Sequence, residues 1–235
     1  MAKVYREAKA DEKVLRLSMD AKAAVQIGKF SRGGSSRIEV HAEAYDFSDA
    51  PKVTPYGVYL PEEKELFIYL TTSKVTSDFI VDCLEDVWKE LKERYPNVER
   101  LLLNLDNGQE NSSRRTQFVH RLVDFVQEQE MEIELAHYPP YHSKYNPIER
   151  VWGVLEQHWN GSLLDSLHAI VEFCKSMTYQ GITPTVKLVQ EEYPTGVKLS
   201  AQQMKELEQH LERLPGLEKW FVSIPRRGTQ TGQLF

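Results

Sequence analysis

Three acidic residues, Asp20, Asp106 and Glu149, lie at the ends of predicted secondary-structure elements. Asp20 ends an alternating run typical of a strand, Asp106 ends a short apolar strand, and Glu149 is in the first turn of a predicted helix. Ligand crevices form at the carboxyl ends of strands in open sheets. Magnesium prefers oxygen ligands, and two such ions can activate the attacking oxygen and stabilise the leaving oxygen of a phosphoryl displacement. The acids therefore predict a two-metal phosphoryl-transfer site.

Each acid also has a simpler interpretation. Aspartate is common at strand ends because it forms turns. Glu149 is the third residue of a helix that begins after Asn146, where a carboxylate can bind free backbone amides and interact favourably with the helix dipole. Taken one at a time, the acids do not decide between the two interpretations. Asp46 and Glu110 are the reserve candidates for a metal role, although acidic surface residues are common.

Three polar residues next to the acids are candidate auxiliary groups: Asn107, His137 and His142. The two histidines could approach a phosphate or a metal-bound water. Magnesium disfavours imidazole, however, and a histidine at a strand end is more often a hydrogen-bonded structural group. Asn107 together with Gly108 predicts a tight turn directly after the strand of Asp106.

Basic residues concentrate near the predicted site although the net charge is −6. Net negative charge by itself argues against a nucleic-acid partner, because phosphate binding requires a basic surface. Between residues 20 and 38, however, four bases accompany one acid, whereas residues 60–100 hold ten acids and six bases. The candidate DNA-binding residues are Arg32, Arg37, Arg114, Arg115, Lys144 and Arg150. Ordinary solvated surface charge is an equally good interpretation of Lys144 and Arg150.

The elements that must position these residues are a series of strands followed by alternating helices and strands, which predicts an α/β fold with helices packed on a mixed sheet. Strands are predicted over 14–20, 24–30, 38–47, 65–71, 101–106 and 133–137, and helices from Ser77, from Ser112 or Ser113, and from Asn146. Residues 1–160 form the predicted catalytic domain, 161–225 a C-terminal helical extension, and 226–235 a flexible tail.

The composition is that of a globular protein in a reducing compartment. The chain has 235 residues, of which 41% are hydrophobic, enough for a sizeable core. Two cysteines, Cys83 and Cys174, suggest neither a disulfide framework nor a zinc site. The sequence has no export signal and no apolar run of membrane-spanning length, so we expect a cytoplasmic protein without a membrane partner.

The segments around the acids resemble the acidic motifs of bacterial insertion-sequence transposases related to the mariner superfamily. The run Leu103-Asn-Leu-Asp-Asn-Gly-Gln-Glu-Asn111 is similar to the second motif, and His137-Tyr-Pro-Pro-Tyr-His-Ser-Lys-Tyr-Asn-Pro-Ile-Glu-Arg150 to the third. Ser18-Met-Asp-Ala-Lys22 looks like the first. The likeness continues through Tyr56-Gly-Val-Tyr59 and Trp159-Asn-Gly161 to Trp220 and Pro225.

The resemblance implies a ribonuclease H-like fold, two divalent ions (Mg²⁺ or Mn²⁺), nicking at a transposon end, and strand transfer into target DNA by the freed 3′-hydroxyl. A homodimer is a candidate assembly. Such transposases usually carry a helix-turn-helix region before the catalytic core, whereas here the first acid is residue 20. We therefore expect a catalytic fragment, a second reading-frame product or a truncated copy. A stand-alone nuclease of the same fold and a non-catalytic DNA-binding remnant are the alternatives.

Overall fold

The computed structural model describes residues 11–30, 50–139 and 145–226. In these ranges, nine strands form one mixed sheet. The strands are β1 (Val14–Ala21), β2 (Val25–Gln26), β3 (Lys52–Leu60), β4 (Glu65–Thr71), β5 (Arg100–Leu105), β6 (Glu132–His137), β7 (Thr185–Val189), β8 (Glu212–Arg213) and β9 (Phe221–Ile224). Their order across the sheet is β7-β4-β3-β1-β5-β6-β9-β8, with β2 paired to β3.

The centre of the sheet consists of the parallel strands β1, β5 and β6. The apolar run of β5 is buried throughout Leu101–Leu105, as expected for a strand that helices cover on both faces. In β1 the side chains alternate, so that Leu17 and Met19 face one core while Ser18 and Asp20 face the opposite side. Because the three strands are parallel, their carboxyl ends lie at one edge of the sheet, where Asp106 and His137 are also located.

Within the described ranges, five α-helices cover the two faces of the sheet. They are α1 (Ser77–Leu91), α2 (Thr116–Gln129), α3 (Pro147–His158), α4 (Leu167–Ser176) and α5 (Ala201–Leu207). Helices α1 and α2 pack on the face of Leu17 and Met19, and α3 and α4 pack on the opposite face. The sequence places apolar residues at spacings of three and four on the inner sides of α1, α2 and α3, and all of them are buried, which confirms the helical periodicity. They are Ile80, Cys83, Leu84, Val87, Leu91, Phe118, Leu122, Phe125, Val126, Ile148, Val151, Trp152, Leu155 and Trp159.

Several predicted boundaries change in the structure. The strand expected over 24–30 is limited to β2, and the strand expected over 38–47 lies outside the described residues. Strand β3 was not predicted, because Pro55 and Gly57 interrupt its apolar pattern. Helix α1 is capped by Thr76 instead of Ser77, and α2 begins at Thr116, beyond the serines predicted to open it.

The residues after 160 contain strands as well as the predicted helices. Strand β7 pairs with β4 at one edge of the sheet, and β9 pairs with β6 at the other, followed by β8. Helices α4 and α5 therefore alternate with strands that extend the sheet. The domain boundary at residue 160 stays a prediction, and residues on both sides of it share one sheet.

Both cysteines lie in the core. Cys83 and Cys174 are free and buried, one in the core on each face of the sheet. Among the helices of the described ranges, none combines the length and the apolar character that a bilayer crossing needs.

Candidate active site

Asp20 lies near the end of the central strand β1, on the face that α3 covers. Its side chain is 8% exposed, and its Oδ1 accepts a hydrogen bond from the Ala21 amide at 2.7 Å. Gly57 of β3 is its register partner. A Cβ atom at Gly57 would lie 2.7 Å from Ile148 Cδ1 and 2.8 Å from the Trp152 ring. The missing side chain therefore allows α3 to approach the sheet directly beside Asp20.

Asp106 follows β5 and is held by the turn that comes after it. Asn107 adopts the left-handed conformation with φ 61°, which asparagine tolerates better than most residues. The amide of Gly108 donates to Asp106 Oδ1 at 3.0 Å, and Asn111 Nδ2 donates to the same oxygen at 2.8 Å. A Cβ at Gly108 would lie 3.1 Å from this oxygen. The predicted turn is confirmed, and it fixes one oxygen of the second acid.

Glu149 lies in the first turn of α3. Pro147 is at the start of the helix, as predicted, because its fixed φ suits this position and its missing N–H would have had no helical partner. The Glu149 amide donates to Asn146 O at 3.0 Å. Ile148 and Trp152 anchor the helix on the sheet, and both are buried. The packing of α3 thus brings Glu149 to the carboxyl end of β1.

The electrostatics of Asp20 reveal that the three acids are neighbours. Burial, and after it the negative charges of Asp106 and Glu149, raise the pKa of Asp20 to about 8. A hydrogen bond between the carboxyl groups of Asp20 and Glu149 has the same effect, while the Ala21 amide opposes it. Such a bond between two carboxyl groups requires a proton on one of them.

The three acids interact electrostatically, but in the described residues their side chains are not arranged as a metal-binding site. In the part of the chain that the structure describes, no three His, Cys, Asp or Glu side chains are arranged to hold one metal ion. Asp106 directs Oδ1 to Gly108 and Asn111. The oxygen-only donor set nevertheless suits a hard divalent cation. Positive charge would also stabilise the buried Asp20 carboxyl group, which the partly buried Asp106 and Glu149 repel.

His137 is fully buried at the end of β6, beneath the loop of Asp106. Its Nε2 lies 2.9 Å from Asn111 O, and its Nδ1 has no hydrogen-bond partner among the residues that the structure describes. Burial lowers the pKa of the ring, which favours the neutral form. The ring therefore supports the loop that carries Asn111 and is shielded from solvent. Its auxiliary role stays a prediction.

The predicted basic residues lie in different settings. Arg114 and Arg150 are exposed, whereas Arg115 is partly buried and pairs with Glu110 at 3.1 Å. Glu110 also accepts from the Ser77 amide at 3.3 Å, so this reserve acid joins α1 to the loop before α2. Four predicted site residues and the other reserve acid lie outside the described residues: Arg32, Arg37, His142, Lys144 and Asp46.

Some residues that shape the site were not identified as site residues from the sequence. Gly57 permits the close approach of α3, and Asn111 orients Asp106. Lys22 is 12% exposed and pairs with Glu156 of α3 at 2.7 Å, so it attaches the helix to the end of β1. Gly57, Asn111 and Lys22 all lie within the motifs quoted above. Gly57 and Lys22 contact α3, which is distant in sequence, whereas Asn111 binds Asp106 within the same motif.

Comparisons with known proteins give one family match and several similar solved structures. A family described as the Rhodopirellula transposase DDE domain matches residues 2–225. No curated protein matches the chain significantly. The structure of a Mos1 transposase paired-end complex with left transposon end has a TM-score of 0.51 at 12% identity, covering 73% of this chain and 49% of that chain. For a Mos1 mariner paired end complex with Mn, the TM-score is 0.50 at 10% identity, with 73% and 50% covered.

These structural likenesses concern the fold. They confirm the prediction of a ribonuclease H-like mixed sheet flanked by helices. The chain spans about half the length of the Mos1 chains that it matches.

Proposed function

The chain belongs to the transposase DDE-domain family, and from this membership we propose that it is a transposase catalytic core that cuts DNA strands at transposon ends and joins the freed 3′-hydroxyl to target DNA. The observation that carries the proposal is the buried Asp20, whose carboxyl group interacts with both Asp106 and Glu149. Buried carboxyl groups that repel one another destabilise a fold, so their convergence at a sheet edge favours a functional origin.

The proposed cofactors are two divalent cations, Mg²⁺ or Mn²⁺, held by Asp20, Asp106 and Glu149. The chemistry that such ions supply when bound is activation of the attacking oxygen and stabilisation of the leaving oxygen. Because the pKa of Asp20 is about 8, its carboxyl group carries a proton for much of the time at neutral pH. Cation binding therefore requires release of that proton, and we expect it to strengthen as the pH rises.

The other residues hold the acids in place. Asn111 and Gly108 donate hydrogen bonds to one Asp106 oxygen, Oδ1, and so restrict the orientation of this carboxyl group. The buried side chains of Ile148 and Trp152 anchor the helix that carries Glu149. Arg114 and Arg150 are exposed, and we propose that they contact the DNA backbone beside the acids.

The decisive test is a cleavage and joining assay. The substrate is a duplex that carries the DNA flanking the coding sequence, with a supercoiled plasmid as target and Mn²⁺ as the ion. We expect nicked and joined products, and we expect both to fall to background in Asp20→Asn, Asp106→Asn and Glu149→Gln. Glu110→Gln is the matched control, because this acid forms structural contacts and should retain activity.

Other results of the same assay would point to the alternatives. Nicked products without joined products would favour a stand-alone nuclease. DNA binding without any cleavage, in a protein whose stability does not respond to Mn²⁺, would favour a non-catalytic remnant and contradict the proposal.

DNA binding is tested by its salt dependence. We expect weak, largely sequence-independent affinity, in which each phosphate contact contributes about −0.9 to the log–log slope on duplex DNA. Replacing Arg32 and Arg37 with alanine should flatten the slope by roughly two if both contact phosphates. The control replaces Lys89 and Lys92 of the acidic region around α1. If the slope flattens equally in the control, Arg32 and Arg37 are not specific DNA contacts beside the acids.

A further inference from the structure

Helix α3 is capped by a residue of the central strand. Asn146 occupies the N-cap position, with φ −68° and ψ 120°, yet its side chain forms no capping hydrogen bond with α3. The Ile148 amide donates instead to Ser18 Oγ at 3.0 Å, across 130 positions of sequence. By contrast, α1, α4 and α5 are each capped by the side chain of the residue that precedes them.

The side chain of Asn146 is used to bind β1. Ser18 Oγ donates to Asn146 Oδ1 at 2.5 Å, and Asn146 Nδ2 donates to Met19 O at 3.3 Å. Ser18, Asn146 and Ile148 are each 0% exposed. Because the cluster is shut off from solvent, water cannot replace a missing partner, and loss of one group leaves the others unsatisfied.

These hydrogen bonds join the segments that carry two of the acids. Ser18 is two residues before Asp20 on the same face of β1, and Asn146 is three residues before Glu149. Gly57, beside Asp20, admits α3 to this short distance. The side chain of Asn146 itself could accept from the Ile148 amide, but such a local cap would not set the distance between the strand and the helix.

We propose that Ser18 and Asn146 are positioning residues, which hold Glu149 against Asp20 through a buried strand-to-helix hydrogen-bond cluster. This inference rests on the proposed function, since it assigns the cluster to the same metal-dependent site. Groups that orient metal ligands change metal affinity or activity by about 10-fold to 100-fold when they are removed.

The test compares Ser18→Ala with Ser166→Ala in the full chain. Ser166 caps α4 by accepting from the Ala169 amide at 3.2 Å, so its loss removes a helix cap away from the acids. For Ser18→Ala we expect the Mn²⁺ concentration at half-maximal thermal stabilisation to rise at least about tenfold. In plasmid nicking, kcat should fall while KM for DNA is unchanged. Residue-resolved hydrogen exchange should accelerate at the Ile148 amide.

A second pair of variants separates the hydroxyl from the shape of the side chain. Ser18→Thr and Ser18→Val have nearly the same volume, and only threonine keeps a hydroxyl. The threonine variant should retain the wild-type Mn²⁺ midpoint more closely than the valine variant, even if both are less stable than wild type.

Equal Mn²⁺ midpoints for Ser18→Ala and Ser166→Ala, or for the threonine and valine variants, would overturn the positioning role. A wild-type protein that shows no Mn²⁺ response dependent on Asp20 would overturn the proposed function, and the positioning role with it. The two failures are distinguishable, because the first leaves the wild-type Mn²⁺ response intact.

Discussion

Replacing Asp20 with asparagine should make the metal-free protein more stable at neutral pH. In the unfolded chain, aspartate has a pKa of 3.8 and is ionised at pH 7, whereas in the folded protein the pKa of Asp20 is about 8. Folding therefore binds a proton, and the stability contribution of this group falls as the pH rises from about 4 to 8. Between the unfolded pKa of 3.8 and pH 7, each pH unit lowers the free energy of unfolding by about 1.4 kcal/mol. The total loss of stability from this group at pH 7 is therefore about 4 kcal/mol.

The amide of Asn at position 20 is neutral, so it avoids the free-energy cost of burying an ionised carboxylate. Asparagine keeps an oxygen that can accept from the Ala21 amide, and its NH₂ group can donate to a neighbouring carboxylate. We expect Asp20→Asn to increase the free energy of unfolding by about 2–4 kcal/mol at pH 7. The difference should shrink towards zero near pH 4, where the aspartate is protonated in the folded state and half-protonated when unfolded.

The assay is urea unfolding in EDTA at pH 4, 5.5 and 7. Asp165→Asn is the control, because this residue is exposed and its substitution should change stability little. If Asp20→Asn is less stable than wild type at pH 7, or if its advantage is the same at pH 4, the buried carboxyl group is not the source of the pH dependence. In the presence of Mn²⁺ the wild type should become the more stable of the two proteins, since only the wild type keeps all three ligands.

Three further predictions concern the neighbours of Asp20. Asp106→Asn should lose most of the rise in melting temperature that Mn²⁺ gives the wild type, and an equal rise in both proteins would exclude Asp106 from the cluster. Gly57→Ala should lower the free energy of unfolding by about 1–3 kcal/mol, measured in urea, because its Cβ would overlap Ile148. Its control, Gly153→Ala, lies in open space on α3 and should raise the free energy of unfolding by about 0.5–1 kcal/mol. Gly108→Ala should weaken Mn²⁺ binding in calorimetry with little change in stability, because its Cβ would press on the Asp106 carboxylate; unchanged binding would mean that the turn can give way.

The sequence alone was sufficient for features that depend on near neighbours in the chain. The helical periodicity of α1, α2 and α3 predicted which residues are buried. The apolar run of β5 and the Asn107–Gly108 turn placed Asp106 at a strand end, because both are local patterns of two to six residues. The resemblance of the acidic motifs predicted the family.

Tertiary structure decided features that depend on pairing between distant segments. Strands β7 and β9 extend the sheet beyond β4 and β6 although their sequences are short, since strand formation depends on which partner is available and not on local periodicity. The structure also gives the reserve acid Glu110 a structural environment, a hydrogen bond with Ser77 and an ion pair with Arg115, which the sequence does not predict.

The same holds for the cap of α3. Asn146 has the residue type and position of an ordinary N-cap, and local reasoning assigned it that role. In the folded protein Ser18 supplies the cap, because the packing of α3 on β1 places its hydroxyl beside the Ile148 amide. A chain of residues predicts which groups need a hydrogen-bond partner, while long-range packing selects the partner.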